Sequence, residues 1–209
     1  MKRHAALVAF ALMLAGPAFA RDEAGRFDYY VLALSWSPSW CAREGLSRGA
    51  EQCARPLGWT LHGLWPQHEA GYPEHCTTAR RDPSRRETGA MADIMGSGGL
   101  AWHQWKKHGR CTGLSPEDYF ALSRLAYERV ARPEILRRIA RPLDLDPGVI
   151  EAAFLEANPD LAPDMLTITC RDGRIAEARL CLTRGLVPRR CGADVVRDCT
   201  RTARFDPVR

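Results

Sequence analysis

The most regular pattern in the chain lies after residue 114, where apolar side chains recur at steps of three and four residues. Ser115 and Pro116 provide an N-cap and a first helical residue, so we predict an amphipathic helix over 115–131. A second helix opens in the same way at Asp146 and should end before Asn158. The apolar positions of the first helix are Tyr119, Phe120, Leu122, Leu125, Ala126 and Val130.

Shorter apolar runs near the C-terminus predict strands rather than helices. Segments 165–170 and 175–182 should pair as a hairpin, because Asp172 and Gly173 between them are a two-residue turn signal. Segment 72–99, rich in Arg, Gly, Pro and Ser, predicts a loop with one short helix at most. Its arginines 80, 81, 85 and 86 favour a solvated surface over an RNA contact. With no internal repeat or linker, the pattern predicts one α+β domain.

The first twenty residues have the pattern of an export signal. Lys2 and Arg3 precede an apolar run over 5–14, and 18–20 is an Ala-x-Ala cleavage pattern. We therefore expect residues 1–20 to be removed and 21–209 to form the mature domain, with a formal charge of +3 instead of +5. No other run is long enough to span a bilayer. The protein is expected to be periplasmic or secreted, and not a membrane protein.

Eight cysteines lie downstream of the export signal, an even number that indicates four disulfides in an oxidising compartment. The sequence alone permits many pairings. Zinc binding is the alternative, but no two cysteines are spaced as Cys-x₂-Cys. The cysteines are Cys41, Cys53, Cys76, Cys111, Cys170, Cys181, Cys191 and Cys199.

Chemistry is concentrated in segment 102–111, with the sequence WHQWKKHGRC. On a helix, Trp102, Trp105 and Gly109 share one face, and the remaining polar groups share the opposite arc. The tryptophans should anchor the helix, while His103, Gln104, Lys107 and His108 face a common space. Imidazoles beside an ammonium suit a phosphate, because imidazole exchanges protons near neutral pH and cations stabilise the anion. The simpler alternative is a tryptophan-anchored helix with a solvated basic face.

A second cluster, 59–67, has the sequence WTLHGLWPQ. In a strand, alternation places Trp59 and Leu61 on one face and Thr60 and His62 on the other. His62 should therefore project away from the core, and Gly63 should let the chain turn.

Together the two segments resemble the active-site motifs of the ribonuclease T2 family, and the likeness extends over about 27–199. Segment 27–38, FDYYVLALSWSP, resembles the family's first core strand. The resemblance implies a central antiparallel sheet flanked by helices and stapled by disulfides. It also implies the pairs Cys76–Cys111 and Cys170–Cys199. For the other four cysteines we expect Cys41–Cys53 and Cys181–Cys191.

The activity that the resemblance implies is endonucleolytic cleavage of single-stranded RNA with little base specificity, without metal or cofactor. The ribose 2′-hydroxyl attacks its own 3′-phosphate, giving a 2′,3′-cyclic phosphate and then a 3′-phosphate. His108 is the implied general base, His62 the general acid, and His103 the phosphate contact. Lys107 should stabilise the phosphorane. Lys106, Lys107 and Arg110 should lower the pKa of both catalytic imidazoles, and a bound phosphate should raise it. Activity should therefore be bell-shaped in pH.

Trp65 and Gln67 match positions that line the family's main base pocket, although core packing is an equal explanation for Trp65. Gln67 stands where some members have an acidic residue, so purine preference is open. His68 and His75 match no motif and should be surface residues. The expected partner is RNA, with no obligate protein partner, and the protein is expected to be a monomer.

Two positions depart from the motif. Gln104 stands in place of the usual Glu and has no proton to exchange, and Arg110 replaces a usual Thr. One alternative is therefore a catalytically weakened, RNA-binding member of the same fold. Another is a metal phosphodiesterase with His62, His103 and His108 as ligands, which the spacing disfavours, because His103-x₄-His108 is not an i, i+4 pair.

Overall fold

A single mixed sheet forms the centre of the computed structural model, which describes residues 22–209. Within that range six strands follow the order β2-β1-β5-β6-β3, and β4 pairs with β5. Neighbours are antiparallel except β5 and β6, which are parallel at Arg174 and Arg204. The predicted α+β domain with a central, largely antiparallel sheet is confirmed. The strands are β1 (Tyr29–Trp36), β2 (Trp59–Gln67), β3 (Leu143–Leu145), β4 (Leu166–Arg171), β5 (Arg174–Leu182) and β6 (Ala203–Phe205).

Helices flank the sheet. Both predicted long helices are confirmed: Ser115 Oγ caps α5 by accepting from the Asp118 N–H, and Asp146 caps α7 in the same way. The chain also has short 3₁₀ turns at Glu51–Ala54, Gly109–Thr112 and Pro163–Met165. A π-helical turn spans Cys41–Gly45. The α-helices are α1 (Ser37–Trp40), α2 (Arg85–Gly89), α3 (Ala92–Met95), α4 (Gly98–Lys107), α5 (Pro116–Arg129), α6 (Glu134–Arg137) and α7 (Pro147–Ala157).

The prediction of a loop over 72–99 is wrong in its second half, which contains α2, α3 and the start of α4. A capping box begins α2: Ser84 Oγ accepts from the Glu87 N–H, and the Glu87 carboxylate accepts from the Ser84 N–H. Glu87 also pairs with Arg81, at 2.6 Å and 2.8 Å. These local bonds outweigh the arginine- and glycine-rich composition on which the loop prediction rested.

The two faces of the sheet have different roles. Alternate residues of β1, from Tyr30 to Trp36, join the main core with Leu61 and Leu64 of β2 and the helices. Their neighbours Tyr29 and Val31 pack on the opposite face in a smaller cluster that Trp65 borders. One face is thus covered by helices, and the other is left to form a cavity.

All four expected disulfides are confirmed: Cys41–Cys53, Cys76–Cys111, Cys170–Cys199 and Cys181–Cys191. Every cysteine is therefore used in a disulfide, which removes the thiolates that a zinc site would need. The hairpin at Asp172 and Gly173 is also confirmed, with both residues at positive φ.

The predicted signal peptide lies outside the described residues. Among residues 22–209, no helix is both long and apolar enough to cross a bilayer.

Candidate active site

His62 projects from a β-bulge in β2. In the register of β1 and β2, Ala33 opposes Gly63 and Leu34 opposes Leu61, so His62 is the extra residue. Its predicted orientation away from the core is confirmed, since it lines a cavity. The predicted turn at Gly63 is wrong, because the strand continues to Gln67.

The bulge also decides which residues share the cavity with His62. In an unbroken strand, His62 and Trp65 would lie on opposite faces because they are three residues apart. The extra residue shifts the alternation, so Leu61 and Leu64 both enter the main core. His62, Trp65 and Gln67 then all line the cavity on the other side.

The buried stripe of α4 differs from the predicted one. Ala101, Gln104 and Trp105 are buried, and His108 at the helix end continues that stripe. Trp102 is 41% exposed and does not anchor the helix; Lys106 Nζ lies 5.7 Å from its ring centroid. The stripe follows i, i+3, i+4, i+7 spacing from Ala101, which places Trp102 about 60° beyond Trp105, the nearest edge of the stripe.

His108 is the C-cap of α4, where the helix changes to the 3₁₀ turn. Its N–H donates to the Gln104 carbonyl at 2.9 Å. The following Gly109 allows close packing, because a Cβ there would lie 2.6 Å from the Trp105 ring. The Cys76–Cys111 disulfide then joins this turn to the loop after β2. The local fold thus fixes the backbone on both sides of His108.

The cavity has a volume of about 330 Å³ and brings all the predicted site residues together. A larger cavity of about 540 Å³ adjoins it and shares His62 and Arg179, among other residues. His75 is exposed, as predicted, whereas His68 is half-buried; neither lines either cavity. The smaller cavity is lined, among other residues, by His62, Trp65, Gln67, Tyr72, His103, Gln104, Lys107, His108, Arg179 and Arg197.

Trp65 and Gln104 join the two motifs. Trp65 Nε1 donates to Gln104 Oε1 at 2.7 Å, and Gln104 is 2% exposed. Gly63 makes this contact possible, because a Cβ there would lie 2.2 Å from Gln104 Oε1 and 2.4 Å from Trp65 Nε1. Trp65 therefore does not enter the main core; its ring stacks on His108 with the centroids 5.2 Å apart. Trp65 is therefore partly buried: it packs against neighbouring side chains and also forms part of the cavity wall.

His108 is 5% exposed, and burial is the largest cause that lowers its pKa to about 3, followed by the charge of Lys107. Burial and Lys107 lower the pKa of His103 in the same order. His108 Nδ1 is buried and has no hydrogen-bond partner among the described residues. Nε2 is therefore the nitrogen of His108 that can reach a ligand.

The predicted lowering of the pKa is confirmed for His108, but of the three predicted sources, Lys106, Lys107 and Arg110, only Lys107 contributes, and burial contributes more. Arg110 Nη2 donates to Asp82 Oδ1 at 2.6 Å, and Lys106 Nζ lies 3.5 Å from Asp82 Oδ2. Asp82 offsets both charges, and neither residue lines the cavity. Lys107 does line it, with Nζ 3.3 Å from Glu74 Oε2.

Two charged residues of β5 complete the site, and the sequence interpretation missed both. Glu177 Oε1 forms a short hydrogen bond with His62 Nδ1, and Oε2 accepts from Arg179 Nε and Nη2 at 2.9 Å and 2.7 Å. Burial raises the pKa of Glu177, but the bonds and charges of His62 and Arg179 outweigh it and lower the pKa to about 2. Two charged side chains two residues apart, in a segment that is otherwise apolar from Ile175 to Leu182, were the signal available.

These features define a class of site: a basic cavity in a disulfide-linked α+β domain, with imidazoles from two separate elements. Such a site suits acid–base chemistry on a phosphate ester. The family is identified by comparison with known proteins. A model of the Ribonuclease T2 family matches residues 27–140, more than half of the chain. The chain therefore belongs to the ribonuclease T2 family.

Individual relatives agree with this assignment. A ribonuclease of Aeromonas hydrophila is 49% identical over 104 residues, which cover 50% of this chain and 46% of that protein. Ribonuclease I of Escherichia coli is 30% identical over 167 residues, covering 56% of this chain and 61% of that protein. An RNase-related protein from Calystegia sepium has the same fold, with a TM-score of 0.68 at 20% identity over 88% of this chain and 99% of that one. The match to the Aeromonas protein spans about half of its length.

Proposed function

We propose that the protein is an endoribonuclease that cleaves single-stranded RNA by metal-independent transesterification. The observation that carries the proposal is that His62 and His108, from different elements, line one cavity together with Lys107. In the reaction, the 2′-oxygen forms a bond to phosphorus, and the bond from phosphorus to the 5′-oxygen breaks. The products are a 2′,3′-cyclic phosphate and a free 5′-hydroxyl; water then opens the cycle to a 3′-phosphate.

His108 is the general base in this proposal. A base must be neutral when substrate binds, and a pKa of about 3 keeps His108 neutral throughout the ordinary pH range. Its Nδ1 is buried, so Nε2 takes the proton of the 2′-hydroxyl.

His62 is the general acid, and its ring packs edge-on against Trp65, the residue on which His108 stacks. Its Nδ1 is held by Glu177, which leaves Nε2 to protonate the departing 5′-oxygen. His103 contacts the phosphate, and Lys107 stabilises the additional negative charge of the phosphorane. A bound phosphate competes with Glu74 for Lys107, since the two side chains are 3.3 Å apart in the free protein.

The base of the attacking nucleotide is held by Trp65, Gln67 and Tyr72. Trp65 is already stacked on His108, and the Arg179 guanidinium lies 5.2 Å from its ring centroid. Tyr72 is 49% exposed and lies at the same cavity, so its ring is available for stacking. Stacking is tolerant of base identity, which supports cleavage with little base specificity.

Gln104 supports the alternative of a weakened, RNA-binding member, because it cannot exchange a proton. Its geometric role is nevertheless retained: its Oε1 accepts the Trp65 N–H as a carboxylate would. We therefore propose an active enzyme, with a rate below that of the Gln104→Glu variant.

Four disulfides support export to an oxidising compartment, as the N-terminal pattern predicts. A periplasmic or secreted, monomeric enzyme acting on RNA remains the proposal.

One assay distinguishes the proposed activity from its alternatives. Single-stranded RNA is incubated with the protein in excess EDTA, and the new 3′ ends are identified by mass spectrometry. Cyclic phosphate ends are expected, and the same strand with 2′-deoxyribose should stay intact. RNA that is bound and not cut would favour the weakened member, and cleavage abolished by EDTA would favour a metal phosphodiesterase.

A further inference from the structure

We infer that Glu177 is a positioning residue that holds His62 as the general acid of the proposed reaction. The inference rests on the proposed function and adds a residue of β5, which lies outside the segment matched by the family model.

The geometry is that of a carboxylate–imidazole pair. Glu177 Oε1 accepts from His62 Nδ1, so the proton on this nitrogen fixes the tautomer. His62 can then rotate little, and Nε2 is the nitrogen left for substrate. A buried carboxylate that orients a catalytic imidazole and offsets its positive charge has the same role in serine hydrolases.

Glu177 is itself held rigidly. It is 9% exposed, and its Oε2 accepts two bonds from Arg179, whose side chain also lines the cavity. Ser35 Oγ, on the neighbouring strand, lies 3.4 Å from Oε1. Because a buried charge without partners is costly, these bonds keep the carboxylate ionised and in one position.

The contact between Glu177 and His62 is also relevant to Gln104, which stands where the family usually has Glu. The family's usual carboxylate at that position is an uncharged amide here. Glu177, which lines the adjoining larger cavity, is a carboxylate in direct contact with a catalytic imidazole, His62. Asp194 also lines the smaller cavity, and Glu74 pairs with Lys107. Glu177 thus places a negative charge against the proposed acid, His62.

This position predicts a dependence on the leaving group. A nucleoside 5′-alkoxide is a poor leaving group and needs a proton from His62, whereas 4-nitrophenolate leaves without one. Loss of Glu177 should therefore slow cleavage of a dinucleoside monophosphate and spare the nucleoside 3′-(4-nitrophenyl phosphate). A purely structural residue would affect both substrates equally, because both need the same base and the same phosphate contacts.

The test compares kcat/KM for the two substrates in the wild type and in Glu177→Gln. A loss at least about tenfold greater on the dinucleotide is expected, within the range that general acid catalysis contributes. Equal losses on both substrates, or no loss on either, would overturn the inference. A wild-type protein that cleaves neither substrate would instead overturn the proposed function, and this inference with it.

Two further variants keep the test decisive. Glu69→Gln is the matched control, because Glu69 also binds an arginine through both oxygens, Arg189 at 2.8 Å and 2.9 Å, and lines neither cavity. It should change neither rate. If Glu177→Gln does not fold, Glu177→Asp retains the charge with a shorter reach and should show a smaller contrast between substrates. The absence of any contrast in a folded Glu177→Asp protein would also overturn the inference.

Discussion

The burial of His108 predicts an acidic limb of the pH profile far below that of an ordinary histidine. With a pKa of about 3 instead of 6.5, His108 is about 99% neutral at pH 5, whereas an unshifted imidazole would be about 3% neutral. The concentration of active base at pH 5 thus differs roughly 30-fold between the two cases. Because kcat/KM reports the free enzyme, its acidic limb should lie below pH 4.

The same shift affects stability. In the unfolded chain His108 titrates near 6.5, so between pH 6.5 and 3 the unfolded state binds a proton that the folded state excludes. The stabilisation is complete above pH 6.5 and is lost as the pH falls towards 3. The total loss amounts to roughly 4–5 kcal/mol. Urea unfolding at pH 7, 5 and 4 follows this loss together with that of the carboxylates whose pKa is lowered in the folded protein.

The assay for the limb is kcat/KM on a dinucleoside monophosphate from pH 3.5 to 8, with circular dichroism at each pH to confirm the fold. Imidazole resonances in ¹H–¹⁵N spectra report whether His108 is neutral at pH 5. His68→Asn is a suitable control, because His68 is half-buried and lines neither cavity. An acidic limb near pH 6.5 in a folded protein, with His108 protonated at pH 5, would refute the argument from burial.

Three other predictions test the surroundings of the site. Gly63→Ala should lower kcat/KM at least about tenfold, because the added Cβ would displace the Trp65–Gln104 hydrogen bond; an unchanged rate would show that this contact is dispensable. Gln104→Glu should raise kcat or move the pH profile, since it restores an exchangeable proton, and no change in either would make residue 104 a bystander. Replacing Cys76 and Cys111 with serine should reduce the free energy of unfolding by about 4 kcal/mol for a separation of 35 residues, and a loss below about 1 kcal/mol in urea unfolding would contradict this magnitude.

The long elements could be predicted from sequence because local signals agree there. Ser115 and Asp146 cap helices with clear apolar periods, and Asp172 and Gly173 form the turn that their types favour. The site residues on β2 and α4 could be predicted because they belong to the two sequence motifs. In each case the deciding interaction lies within a few residues along the chain.

The remaining features depend on contacts between distant parts of the chain. A period of two cannot foresee the bulge at His62, which is set by pairing with β1 and brings Trp65 to the same cavity. The exposure of Trp102 depends on which stripe of α4 the sheet covers. Glu177 lies 115 residues from His62 in sequence, so only the folded sheet brings the two together. The capping box at Ser84 is different, because it was a local signal that the sequence interpretation passed over.

The central claim is that His62 and His108 act as acid and base on one phosphodiester. The most direct measurement compares His62→Ala and His108→Ala on a dinucleoside monophosphate and on the matching 4-nitrophenyl ester, in EDTA. His62→Ala should lose at least about a hundredfold in kcat/KM on the dinucleotide and retain most activity on the ester, while His108→Ala should lose both. The opposite assignment, or near-wild-type cleavage of the dinucleotide by either variant, would contradict the account.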